Sequence, residues 1–160
     1  MTFRTASVAR VLPFLIAGSA LAIPAFAQTA TGQPPSGGFS AALHNAAYEK
    51  GLESVLTTPE TIGEMLQCSA LWDRWAYAVE SAADPAFTQG LREELSAGNA
   101  NSRKLYWQRL ARRDMREDDS STYYDKMEAR AEEQADETYA EYVAGSERGM
   151  QSMMGWLAGC

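Results

Sequence analysis

The side chains of this sequence with chemistry to offer are few: two cysteines, one histidine and several clusters of charged or aromatic residues. Cys68 and Cys160 are the only sulfur nucleophiles. In an oxidising compartment an even pair closes a disulfide. The favoured pairing lies within the chain and ties its last residue back to the middle. A Cys160–Cys160 link between two chains and free thiols are the alternatives. Gly155 and Gly159 are read as loosening the tail enough to reach. Nothing resembles the Cys-x-x-Cys of a redox-catalytic pair. His44 is the single histidine. Acid–base catalysis at neutral pH and zinc or copper sites lean on histidine. One histidine without a cysteine cluster carries no transition-metal signature, so His44 is read as structural or as a plain surface residue.

Two charged segments follow one another. Arg103, Lys104, Arg109, Arg112, Arg113 and Arg116 form the first, and at helical spacing Arg109, Arg112, Arg113 and Arg116 share one face. Such a face grips phosphate or an anionic lipid head group. The second holds Glu128, Glu132, Glu133, Asp136, Glu137 and Glu141. Carboxylates that close suit a divalent cation or an acid–base pair. Di-iron bundles, however, require Glu-x-x-His elements, and no such element or EF-hand loop occurs. A solvated face is therefore the expectation. An antiparallel hairpin turning about Asp118 to Ser121 would set the arginines against the carboxylates, and this internal matching is favoured over an anion or partner site.

The aromatic residues are plentiful for the length: Trp72, Trp75, Trp107 and Trp156, with seven tyrosines. At helical spacing they read as core rather than as a ligand pocket. Trp107 lies off the apolar face drawn for its helix and is the expected exposed aromatic anchor. The Gly-x-Ser-x-Gly nucleophile turn and phosphate-cradling glycine loops are absent. No catalytic, cofactor-binding or metal-binding set is assigned.

The elements that must position these residues are helices. Val and Ile are scarce after residue 28, and no run alternates apolar and polar in the strand manner. A first helix is expected from Phe39 to Val55, with Phe39, Leu43, Ala46 and Ala47 on one face, then Leu52, Val55 and Leu56 after Gly51, a point where it kinks or splits. A second is capped at Thr58-Pro59-Glu60. Its Met65, Cys68, Trp72, Trp75 and Val79 recur at spacings that make a buried seam. A third runs from Asp84-Pro85 to about Leu95. A fourth, capped by Asn101 or Ser102, turns Leu105, Tyr106, Leu110 and Met115 inward. A fifth is capped within Asp118 to Ser121 and ends near Gly145. Residues from Ser146 to Leu157 form a last helix or continue the fifth. The fold class is therefore all-α, an irregular antiparallel bundle of five or six helices.

Residues 1–27 read as a cleavable export signal. Arg4 and Arg10 precede an apolar run from Val11 to Ala22 that is too short to span a bilayer. Pro24 breaks the run, and Ala25-Phe26-Ala27 supplies the small-x-small cleavage pattern. Residues 28–38 form a Gly-, Pro- and Thr-rich tether, and residues 39–160 a single helical domain. Cleavage after Ala27 leaves 133 residues with 12 basic and 21 acidic side chains, a formal charge of −9 in place of −7. That charge opposes binding to bare nucleic acid or to an anionic membrane. The expected location is periplasmic or secreted, with no membrane span in the mature chain. The function these features suggest is a non-enzymatic interaction, scaffold or envelope-stress module that meets another envelope protein. A carrier of an apolar or anionic small ligand is the alternative, with an enzyme third.

Overall fold

The computed structural model describes residues 38–55, 58–116 and 120–160. The expected export segment, and the expected tether apart from Gly38, lie outside them. Among the described residues there is no strand; six α-helices and one 3-10 turn pack into a bundle.

Helix α1 (Ala41–Ser54) starts after Ser40, whose hydroxyl accepts from the Leu43 N–H. It buries Ala41, His44 and Tyr48. The face predicted from hydropathy is rotated: Leu43 is 50% exposed and Leu52 44%. His44 is held inside by hydrogen bonds at both ring nitrogens, and the Tyr48 ring lies under the Arg92 guanidinium.

Helix α2 (Ile62–Glu80) is the centre of the bundle and packs against α4, α5 and α6. Its cap is Thr61, not the Thr58-Pro59-Glu60 segment. The Thr61 hydroxyl accepts from the Glu64 N–H at 3.2 Å, and the Glu64 carboxylate accepts from the Thr61 N–H at 3.0 Å. The Thr61 and Glu60 N–H groups and the Thr61 hydroxyl, all donating to the Glu64 carboxylate, hold it below the usual carboxylate range. All five residues of the expected seam are buried, and so are Leu66, Leu71, Ala76 and Ala78 around the helix.

Helix α3 (Pro85–Gly90) carries the expected Asp84 cap and the proline in its first turn. It stops short of Leu95 because Leu91 and Arg92 are extended, and only Glu93–Leu95 coil again as a 3-10 turn. Helix α4 (Ala97–Asp114) is capped by Ser96, a turn earlier than Asn101. It buries Ala100, Trp107 and Ala111 against α2, whereas Leu105 and Tyr106 point to solvent. Small alanines let two helices approach closely, so the packed face of α4 follows size rather than hydropathy.

Helix α5 (Ser121–Val143) is capped by Ser120 and buries Tyr124, Ala131, Ala135 and Tyr142. Gly145, at φ +75°, ends it in the left-handed conformation that glycine adopts without penalty. Ser146 then caps a separate helix, α6 (Glu147–Gly159). Helices α1 and α6 run side by side in the same direction, with Gly51 against Gly155 and Ala158 and Val55 near Gly159. The tail is helical up to Gly159 rather than loose. No helix among the described residues is long and apolar enough to cross a membrane.

The last residue is fixed by covalent and polar links. Cys160 is disulfide-bonded to Cys68, with their α-carbons 5.4 Å apart. The Trp107 indole N–H donates to the Cys160 carbonyl, so α2, α4 and α6 converge at one point.

Candidate interaction surface

The polar interior is built for packing. His44 is fully buried among Phe39, Trp75, Phe87 and Tyr142, with ring centroids 5.2–6.3 Å away. Its Nδ1 lies 2.9 Å from the Ser40 carbonyl, which only accepts, so Nδ1 carries the proton. Nε2 is then the acceptor for the Tyr142 hydroxyl at 3.1 Å. Burial pushes the imidazole pKa down, against a smaller upward pull from the Ser40 carbonyl. The same burial pushes the Tyr142 phenol up. With both nitrogens engaged and no exposure, His44 fixes α1 to α5 and is out of reach of a substrate. Among the described residues no group of three or more His, Cys, Asp or Glu is arranged to hold a metal ion.

The charges are matched through α2, which changes the reading of both charged helices. The predicted α4/α5 hairpin does not form, because each helix packs along α2 instead of along the other. The α5 carboxylates are taken by Arg74 of α2: its guanidinium donates to Asp136 at 2.8 Å and to Glu132. Asp73, next to Arg74, also accepts from Lys104 of α4 at 2.6 Å. Acids and bases of the two outer helices thus meet a central residue pair, and the arginine face of α4 is left turned outward.

That outward face combines charge with apolar surface. Leu105, Tyr106, Arg109, Arg112 and Arg113 are all exposed and fall on one side of α4. Arg112 donates to the Tyr124 hydroxyl at 3.4 Å, and its guanidinium carbon sits 5.6 Å from the centre of that ring. This contact with Tyr124 raises the Arg112 pKa and aims its fork across the end of the face. Arg109 and Arg113 have no ion pair among the described residues. Arg116, the fourth predicted member, is exposed just past the end of α4 and is engaged in an interaction of its own.

Trp107 is not the surface anchor that its position suggested. It is 6% exposed, stacked edge-on against Tyr106 at 5.1 Å, with its N–H on the Cys160 carbonyl. The aromatic available to a partner is its neighbour Tyr106, with Leu105 beside it. Both were hidden from sequence reading by being assigned to the core. The signal that would have found them is Ala100 and Ala111, whose spacing with Trp107 defines a narrower packed face on the other side of the helix.

No protein-family model, curated protein or solved structure matches this chain.

Proposed function

We propose that this chain is an exported, non-enzymatic interaction module whose outward α4 face docks onto an acidic surface of another envelope protein. The observation that carries this reading is the combination of Arg109, Arg112 and Arg113 with Leu105 and Tyr106 on one exposed face. Arginine forks pair bidentately with carboxylates, and an adjacent Tyr and Leu add apolar contact. The chain as a whole is acidic, and the three exposed arginines of α4 give an acidic partner an attractive approach along that helix. The export signal, the disulfide and the tether agree with work outside the cytoplasm.

The test is a triple substitution, Arg109→Gln, Arg112→Gln and Arg113→Gln, used as bait beside the unaltered chain in an envelope extract. The expected result is a partner retained at low salt by the unaltered chain and lost by the variant, with the melting temperature unchanged. A partner retained equally by both, or a variant that melts well below the parent, overturns the reading and makes the arginines structural.

A further inference from the structure

Two exposed faces of this chain match each other. On α4, Tyr106, Arg109 and Arg113 recur at spacings of three and four, on the side away from the packed Ala100, Trp107 and Ala111. On α5 and its last turn, Glu137, Glu141 and Ala144 recur at four and three, on the side away from the buried Ala131 and Ala135. All of these outward residues are exposed, and neither the two arginines nor the two glutamates have an ion pair among the described residues. Arg109 and Arg113 lie about 6 Å apart along their axis, and so do Glu137 and Glu141. Within one chain these charges do not meet, because α4 and α5 each pack along α2. Between two copies they can.

The apolar neighbours select the direction of that pairing. Laid antiparallel, Arg109 faces Glu141 of the second copy and Arg113 faces its Glu137. Tyr106 then lies over Ala144, and Lys126 and Arg130 of α5 fall beyond the end of α4 at Asp114. Laid parallel, with Arg109 on Glu137 and Arg113 on Glu141, Leu105 would face Glu133 and Tyr106 would face Gln134. Covering polar groups with apolar ones costs free energy, so the antiparallel arrangement is the better one. Guanidinium forks pair bidentately with carboxylates, and the tyrosine adds apolar contact. The net charge of −7 opposes association in general, so the contact is small and transient.

We propose that α4 of one copy docks antiparallel on α5 of a second copy, with Arg109 paired to Glu141 and Arg113 to Glu137. This pairing rests on the α4 docking face proposed above and adds a second occupant, the chain itself, which competes there with the envelope partner.

The experiment is sedimentation of the purified oxidised chain up to about 1 mM, the weak end of specific affinity. The parent is compared with Arg109→Glu/Arg113→Glu and with Glu137→Arg/Glu141→Arg. The parent is expected to self-associate reversibly, and either reversal to weaken this at least about tenfold. Mixing the two reversed chains should restore association, because the acidic α4 of one then meets the basic α5 of the other. If a reversed chain fails to fold, Arg113→Gln and Glu137→Gln decide, singly and combined: the combined loss should be no larger than the greater single loss. A parent that stays monomeric, association indifferent to either reversal, a mixture that stays monomeric, or additive losses in the cycle overturns the pairing. A monomeric parent whose α4 arginines still retain an envelope partner removes the second copy alone. A self-associating parent that retains that partner equally well without those arginines removes the envelope-partner reading alone.

Discussion

Removing the Cys68–Cys160 bond is the sharpest perturbation that the fold offers. The bridge spans 92 positions, so it restricts most of the helical domain in the unfolded state. The chain-entropy relation gives about 4.6 kcal/mol at 25 °C for a loop of that length. Losses on the native side are small when both cysteines become alanine. Cys68 is 1% exposed in an apolar seam that tolerates a methyl group, and the Trp107 bond goes to the backbone of residue 160, which the substitution keeps. Against a typical total of about 5–15 kcal/mol, the loss is a third of the stability or more. For a domain of about 120 residues it lowers the melting temperature by roughly 18 °C. The assay is a far-UV circular dichroism melt of the parent and of Cys68→Ala/Cys160→Ala, each with and without reductant. Reductant is expected to move the parent close to the variant and to leave the variant unmoved. Thiols of the unreduced, unfolded parent should resist alkylation. A variant that melts within about 5 °C of the parent refutes the loop-closure reasoning, and two labelled thiols in the unreduced parent refute the bond.

Two further outcomes follow from the interior. His44 is the chain's single histidine, and burial lowers its pKa in the folded state. Above the ordinary value of 6.5 both states are neutral and folding is unaffected; as pH falls below it, the unfolded chain binds a proton that the folded one refuses. Urea unfolding should therefore show stability dropping as pH falls through and below 6.5, with a slope from this group of at most about 1.4 kcal/mol per pH unit. A flat profile in that window would contradict the buried neutral imidazole. The glycines of α6 should respond in opposite directions. Gly149→Ala places a β-carbon 2.2 Å from the Glu141 carbonyl oxygen and should cost about 3 kcal/mol. Gly155→Ala meets nothing within 4 Å and should stabilise by about 0.5–1 kcal/mol. Equal effects in urea titrations of the two variants would rule out this picture of the α5/α6 corner.

Local signals in the sequence were strong where the backbone itself demands a residue type. Asp84-Pro85, Gly145 and Ser146 mark helix ends in both the sequence and the fold, because caps and left-handed turns are satisfied within a few residues. The seam of α2 was equally legible, since a helix surrounded by others is apolar at every spacing that faces them. The disulfide followed from an even cysteine count, once the leading segment was read as an export signal. What the sequence could not decide is which side of an outer helix packs. On α4 the choice fell to Ala100, Trp107 and Ala111 over Leu105 and Tyr106, and on α1 to His44 and Tyr48 over Leu43. Burial there depends on close approach and on distant partners, the Cys160 carbonyl for Trp107 and, for His44, Trp75 and the Tyr142 hydroxyl 98 residues away, which no local window contains.

Charge pairing follows the same rule. Adjacent basic and acidic helices suggested a hairpin, but the partner of Glu132 and Asp136 is Arg74, supplied by a central helix far earlier in the chain. Chain order says which charges are near in sequence; tertiary packing decides which are near in space. By that decision α4 keeps its arginines on the outside and α1 leaves Leu43 and Leu52 exposed. Composition and punctuation determined an all-helical chain with a clasped end. The outward face of α4 exists because α2 occupies the middle and takes α4, α5 and α6 against itself, while α1 is laid on α6.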